Sequence, residues 1–257
     1  MRALVNGVFA GCLLLMLACG AEPQAGKVTM ESLLGDWLNK NYVASLKKTK
    51  SPLKSWKGIY HTSLRFTKEP TGYEWVVEFN FHEGLTYNID GLRPTSVPNT
   101  YMLVFNGDQD SMRETENDRI VYPDGSSDAL SWVFTLEGKE QRIQFIRVKP
   151  SMEAYVNRVV LAGNYTDISG RSFVFTDACE AKWPDKTFTY TIGLDCVLAH
   201  CDYFSIPAEK DGNRYLEYAF ERKQGKLYLY SVHFAAEAPD FLVRDKKPLH
   251  VLTPKRK

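Results

Sequence analysis

Short apolar stretches, separated at regular intervals by turn residues, dominate this chain. Typical examples are YEWVVEFNF at 73–81 and KLYLYSVHF at 226–234, which are rich in Val, Tyr, Phe and Trp. Gly, Asp, Asn and Pro fall between such stretches, a pattern typical of β-strands joined by turns. Many short strands in succession favour an antiparallel barrel or sandwich over a fold in which strands and helices alternate. We therefore expect a mainly β protein.

One or two short helices are expected beside the strands. Apolar residues at roughly helical spacing predict a helix near 37–50, and Pro52 stops that pattern. Ser151 can cap a second helix over 151–161.

The amino-terminal residues have the features of an export signal. A single basic side chain, Arg2, precedes an apolar stretch from Ala3 to Ala18, which is too short and too early for a stable membrane-spanning helix. Met16-Leu17-Ala18-Cys19 resembles the lipobox of bacterial lipoproteins, in which cleavage precedes the cysteine and the cysteine carries the lipid. An ordinary secretory cleavage after Gly20 is the alternative.

The lipobox resemblance implies a cellular location and a mode of membrane attachment. Residues 1–18 would be the signal peptide, Cys19 the lipidation site, and residues 19–30 a short polar linker. Glycine after the cysteine implies the outer membrane of the bacterial cell envelope, with the periplasmic or surface face left open. Two or three acyl chains hold a protein on a membrane far longer than one, since each buried CH₂ contributes about 0.8 kcal/mol.

The remaining chain suggests two related β units, at 31–150 and 151–235, followed by a basic tail at 236–257. Residues 134–148 align without a gap to 218–232, and each reads as a strand, a polar turn and a strand. Gly35-Asp36-Trp37 and Gly163-Asn164-Tyr165 stand upstream of the two segments. Duplication is one explanation. Chance similarity between amphipathic hairpins is the other.

Gly35-Asp36-Trp37 also resembles the Gly-x-Trp signature of lipocalins and related calycin barrels. In that family the tryptophan closes one end of an eight-stranded barrel, and an arginine from a late strand packs across it. The resemblance implies a ligand-binding β-barrel, with Arg147 and Arg222 as the two candidates for the arginine.

Charge and cysteine content exclude several function classes. The chain carries 32 basic and 31 acidic residues with no basic stripe, so we expect no nucleic-acid partner. An exported chain meets oxidising conditions, and Cys196 with Cys201 is our disulfide prediction, although Cys179 could bridge to either. The spacing of Cys196, His200 and Cys201 does not match a zinc site, so we expect neither metal nor cofactor.

No motif in the chain indicates a particular reaction, and we expect a non-catalytic protein. Our first hypothesis is that it is an envelope lipoprotein whose barrel binds a small or partly apolar ligand. The alternative is a protein–protein interaction or structural component of the envelope or cell surface. Tyrosine and tryptophan present an apolar ring with a polar tip, which suits either role. The candidate ligand-binding residues are Trp37, Tyr87, Tyr190, Tyr228 and Tyr230.

Overall fold

The computed structural model describes residues 28–106, 118–123, 128–195, 197, 199–207, 215–235 and 238–255. The protein is mainly β and antiparallel, as the sequence predicts. The described residues contain four helices rather than one or two, and two of the four are single turns. The helices are α1 (Met30–Leu33), α2 (Lys40–Thr49), α3 (Pro52–Ser55) and α4 (Met152–Val160).

The first unit is a closed barrel of eight strands. Each strand pairs antiparallel with the next, and the last pairs back onto the first, where Arg147 lies opposite Trp37. The strands are β1 (Gly35–Asn39), β2 (His61–Glu69), β3 (Gly72–Phe79), β4 (Glu83–Pro94), β5 (Thr100–Phe105), β6 (Arg119–Val121), β7 (Ala129–Leu136) and β8 (Lys139–Val148).

The second unit is a ten-stranded antiparallel sheet. Its two ends are β12 and β13, which are neighbouring halves of one stretch of chain interrupted at Tyr190. The chain therefore joins the two ends of the sheet, which are not hydrogen-bonded to each other, and the strands wrap around a buried interior. We call this unit the second barrel. The strands are β9 (Gly163–Thr166), β10 (Ser172–Phe175), β11 (Glu180–Lys182), β12 (Thr187–Thr189), β13 (Thr191–Ile192), β14 (Asp202–Pro207), β15 (Tyr215–Lys223), β16 (Lys226–Ala235), β17 (Ala238–Arg244) and β18 (His250–Pro254).

Two boundaries differ from the sequence prediction. The helix expected near 37–50 begins at Lys40, because Gly35–Asn39 forms β1. Trp37 faces the interior of the first barrel, whereas Leu38 faces outward and packs into the core that contains α2 and α4. Because β1 has apolar residues on both faces, its sequence resembles the apolar spacing of a helix. The segment 236–257 is not only a basic tail, because it supplies β17 and β18, and β18 pairs with both β9 and β16.

Helices α2 and α4 pack between the outer face of the first barrel, at Leu38 and Val148, and the core of the second unit. Leu46 of α2 and Val156 of α4 are fully buried, and they belong to the same cluster as Phe220 and Leu229 of the second barrel. Asp36 adds a polar link, since its carboxylate accepts hydrogen bonds from Arg65 Nε at 2.8 Å and from the backbone N–H of Met152 at 2.9 Å. The second bond caps the N-terminus of α4.

Among the described residues, no helix is long and apolar enough to cross a membrane.

Candidate functional site

The end of the first barrel next to α1 is closed by an arginine–tryptophan pair. Trp37 is fully buried, and its Nε1 donates to the carbonyl of Leu33 at 2.8 Å. The guanidinium carbon of Arg147 lies 4.2 Å from the Trp37 ring centroid. Arg147 Nη1 donates to the carbonyl of Leu34 at 2.6 Å, and Nη2 donates to the carbonyl of Ser32. Position 35 requires glycine because its φ is +108°.

The second barrel is closed in a similar way. Tyr165 is buried, and its hydroxyl donates to the carbonyl of Leu161 at 2.7 Å, again four residues earlier and next to a preceding helix. The guanidinium carbon of Arg222 lies 5.1 Å from the Tyr165 ring, and Arg222 Nε donates to the carbonyl of Val160 at 2.8 Å. The two arginines come from different strands, since Arg147 is on β8 and Arg222 on β15. Duplication of one ancestral unit stays a prediction.

Aromatic side chains fill the interior of the first barrel. The indole of Trp75 stacks on Phe66 at 6.0 Å between ring centroids and meets Trp132 edge-on at 5.2 Å. Tyr87 packs against the same indole at 5.6 Å. These residues form one buried cluster with Trp37, so the middle of this barrel is a packed core. Space for a ligand in this barrel is therefore confined to its ends.

The open end of the first barrel carries a cavity of about 380 Å³. It lies opposite the Trp37 end and is lined by Lys40, Tyr60, His61 and Ile143 among others. The His61 ring contacts Trp132 at 4.8 Å, which joins the lining to the packed core. Polar and basic side chains make up much of this lining, and its aromatic side chains are those of Tyr60 and His61.

The open end of the second barrel holds a cavity of about 320 Å³ with an aromatic wall. Phe173, Trp183, Tyr218 and His250 line it, together with Lys186, Arg171 and Asp185. A two-residue turn, Pro184-Asp185, joins β11 to β12, and Trp183 N donates to Lys186 O across it at 2.8 Å. Proline and aspartate favour this turn, and the turn brings Lys186 back over Trp183. We call this cavity the second-barrel mouth.

Lys186 supplies a positive charge at the second-barrel mouth. Its ammonium nitrogen lies 4.7 Å from the ring centroid of Trp183, 5.2 Å from that of Phe188 and 5.4 Å from that of Tyr218. Ring faces attract a cation, so these contacts hold the ammonium in place. Lys186 also donates to the Tyr218 hydroxyl at 3.4 Å. Within the described ranges Lys186 forms no ion pair with a carboxylate.

Two further polar groups belong to the same cavity. Trp183 is 9% exposed, and its Nε1 is buried without a hydrogen-bond partner among the described residues. His250 packs on Phe173 at 5.0 Å and on Trp183 at 5.4 Å. Burial lowers the pKa of His250, and the nearby Arg171 lowers it further, which favours the neutral imidazole at pH 7. The mouth therefore combines apolar ring surface with the ammonium donors of Lys186 and a neutral imidazole.

The five residues predicted to bind a ligand do not converge on one cavity. Trp37 lies at the closed end of the first barrel and Tyr87 in its packed interior. Tyr190 is buried in the second unit, where its hydroxyl donates to Asn157 Oδ1 at 2.6 Å. Tyr228 and Tyr230 pack on the other face of β16 from the core residues Leu227 and Leu229. The alternation of Tyr and Leu along β16 separates its two faces, but both faces are packed.

A cluster of titratable groups surrounds Cys201, and its groups have structural roles. Burial raises the pKa of the Cys201 thiol to about 11, so it is not a thiolate nucleophile at neutral pH. Asp202 accepts a hydrogen bond from the backbone N–H of Leu53 at 2.7 Å, which joins α3 to the second barrel. Glu221 forms an ion pair with Arg244 at 2.9 Å.

The disulfide predicted between Cys196 and Cys201 stays a prediction, because Cys196 lies outside the described residues. Within the described part of the chain, Cys179 and Cys201 are free thiols. Cys201 is buried beside Ala219 and Tyr230, so its environment is that of a packed thiol. Cys19 and the signal segment also lie outside the described residues. The described part of the chain contains no group of three His, Cys, Asp or Glu side chains that could hold a metal ion.

Comparison of the chain with protein-family models, curated proteins and solved structures found no match. The residues of the second-barrel mouth were not singled out by sequence reasoning. The turn sequence Pro184-Asp185 is a signal from which Trp183 and Lys186 could have been predicted, because residues that flank a two-residue hairpin turn face each other across the strands. The sequence Trp183-Pro184-Asp185-Lys186 therefore predicts an aromatic–cation pair.

Proposed function

We propose that this protein is a lipid-anchored component of the bacterial cell envelope that binds a small, partly apolar ligand at the second-barrel mouth, without catalysing a reaction. The observation that carries the binding role is the aromatic wall of that mouth. Phe173, Trp183 and Tyr218 line one concave cavity of about 320 Å³. Cavities of this size, with apolar walls and a few polar groups, are typical of small-molecule sites.

The second-barrel mouth supports this role better than the first-barrel cavity does. Apolar ring surface gives a ligand its binding free energy, at about 25 cal/mol per Å² removed from water. The second-barrel mouth offers the rings of Phe173, Trp183 and Tyr218, whereas the wall of the first-barrel cavity consists of Tyr60, His61 and mainly aliphatic or polar side chains. The interior of the first barrel is filled by Trp75 and its neighbours, which leaves no deep calyx there for a ligand.

A titration followed by nuclear magnetic resonance tests the binding role. Three naphthalene probes differ only in charge, namely 2-naphthoate, 2-naphthamide and 2-naphthylmethylammonium. We expect at least one of them to shift the indole N–H signal of Trp183 saturably, while the signal of Trp75 in the first barrel stays in place. If none of the three probes moves the Trp183 signal up to its solubility limit, the proposed binding role is wrong.

The lipid anchor needs a separate experiment. The supporting observation is the sequence Met16-Leu17-Ala18-Cys19, and the variant is Cys19→Ser in the full-length chain. In an exporting bacterial host we expect the wild type in the membrane fraction with an acyl mass increase, and the variant unacylated and released from that fraction. A variant that is processed normally and stays in the membrane fraction would contradict lipidation at Cys19.

One observation favours a protein–protein interaction as a second candidate function. The far part of β16 pairs with β17, and within the described chain the other edge of β17 is contacted at Leu242, by a bridge to Ala199 and the N–H of His200, but by no further strand. Phe234 lies in that part of the hairpin and is 61% exposed. A strand edge beside an exposed aromatic side chain can pair with a partner strand. In that case Phe234→Ser would abolish binding to an envelope protein and leave the probe titration unchanged.

A further inference from the structure

We infer that the ligand of the second-barrel mouth is an organic anion: an aromatic or otherwise flat apolar body that carries a carboxylate or a chemically similar acidic group. The inference rests on the proposed binding role and names the chemical class of the ligand. The juxtaposition that carries it is the ammonium of Lys186, held over the rings of Trp183, Phe188 and Tyr218 at the wall of the cavity and without an ion-pair partner within the described ranges.

The first step concerns the cation already present. An aromatic wall by itself attracts ligand cations, as the recognition of ammonium groups by aromatic residues shows. Here the ammonium of Lys186 occupies that position, at 4.7 Å from the Trp183 centroid. A second cation would meet like-charge repulsion from it. The rings and the lysine together therefore select against cationic ligands.

The second step concerns the unused hydrogen-bond donors. A lysine ammonium has three N–H donors, and the Tyr218 hydroxyl accepts at most one of them, at 3.4 Å. The Trp183 indole can only donate, and its Nε1 lacks a partner among the described residues. A carboxylate ligand can accept hydrogen bonds from the ammonium of Lys186, whereas the buried Nε1 of Trp183 is reached only if the side chain moves.

The third step concerns the other charges in the lining. Arg171 is paired with Asp167 at 2.7 Å, so its charge is largely compensated. Asp185 is the carboxylate of the lining, in the turn between Trp183 and Lys186. Lys186 has no ion-pair partner within the described ranges, and its charge is therefore available to a ligand. Charge-assisted hydrogen bonds are about twice as strong as neutral ones.

The three naphthalene probes test the charge class directly. Because they share the same ring system, differences in affinity report on the polar group. We expect 2-naphthoate to bind at least about 10-fold more tightly than 2-naphthamide, and 2-naphthylmethylammonium to bind more weakly than either. Lys186→Met keeps a long side chain over the rings and removes the charge, so naphthoate should then bind no more tightly than the amide.

Lys182→Met is the matched control, because Lys182 lies on the same hairpin, is exposed and does not line the cavity. It should keep the preference for naphthoate. Equal or tighter binding of the amide or the ammonium probe to the wild type would overturn the anion inference and leave the binding role intact. Retention of the preference by Lys186→Met would overturn the role of Lys186. Absence of binding by all three probes would instead contradict the proposed function itself.

Discussion

The guanidinium of Arg147 lies over the indole of Trp37, and the same guanidinium donates hydrogen bonds to two carbonyls at the end of α1. One side chain thus joins the last strand of the first barrel, the first strand and the preceding helix. A positive charge next to the carboxyl end of a helix is also favourable for the helix dipole. We therefore regard this pair as the main closure of that end of the barrel.

Replacing Arg147 with methionine should destabilise the protein. The change keeps an apolar side chain over Trp37 but removes the charge and the hydrogen bonds to Ser32 and Leu34. We expect the free energy of unfolding to fall by about 2–4 kcal/mol. Urea denaturation measures it. Arg142→Met on the exposed face of the same strand is the control and should change the free energy by less than about 0.5 kcal/mol. Equal effects of the two variants would contradict the closure role.

The two barrels should unfold together, because α2 and α4 bury their apolar faces in a core that includes residues of the second barrel. The indole signals of Trp75 and Trp183 should therefore disappear at the same urea concentration. Leu46→Ala should lower both midpoints equally and reduce the free energy of unfolding by about 2–5 kcal/mol. Lys47→Ala, on the exposed side of α2, should leave them in place. Two separate midpoints in the wild type would show that the shared core does not couple the units.

Asp202→Asn should stabilise the protein at neutral pH. Burial raises the pKa of Asp202 from 3.8 to about 6, so the ionised form is unfavourable in the folded state. The contribution of Asp202 to the free energy of unfolding is fully present below pH 3.8, where the carboxyl group is protonated in both the folded and the unfolded state. This contribution is lost as the pH rises through about 6. Asparagine can still accept from the Leu53 N–H without a charge.

The gain from Asp202→Asn should therefore be about 1–3 kcal/mol at pH 7 and should shrink as the pH falls towards 4. Urea denaturation of both proteins at a series of pH values measures this difference. Glu217→Gln, on the neighbouring strand β15, is a useful comparison, because burial raises its pKa in the same direction. A constant difference between wild type and Asp202→Asn from pH 4 to 7 would contradict the buried-charge explanation.

Cys179 and Cys201 should resist alkylation in the folded protein. Burial raises the pKa of each thiol to about 11, so few thiolates are present at pH 8. Iodoacetamide should therefore label both only after unfolding. Peptide mapping of the unfolded protein without reductant tests the disulfide between Cys196 and Cys201. An alkylated Cys201 agrees with the structure, whereas a peptide that joins Cys196 to Cys201 would support the disulfide predicted from sequence.

The sequence predicted the fold class well, because strand periodicity and turn residues are local signals that need no knowledge of partners. It also singled out Arg147 and Arg222, and the structure places each over an aromatic ring at the closed end of a barrel. The ligand-binding residues were harder to predict, since burial depends on which strands become neighbours. Tyr190 and Tyr87 look like amphipathic binding residues in the sequence, but pairing with distant segments makes them core residues.

The carboxyl-terminal boundary shows the same limitation. Charges in the turn after Arg244 made 236–257 look solvated, whereas Leu252 in the strand that follows is fully buried. A single buried leucine among polar neighbours is a weak local signal, and only its pairing with Leu227 reveals its position.

The position of β18 after the other strands of the second barrel in chain order also sets an order of assembly. The first barrel needs residues only up to Val148, so it can close while later residues are still being synthesised. The second barrel needs His250–Pro254 to connect β16 to β9, and these residues are synthesised after all its other strands. Until they arrive, β9 and β16 each present an open backbone edge. The second-barrel mouth is therefore completed only after β18 has been synthesised, when the first barrel has already been able to close.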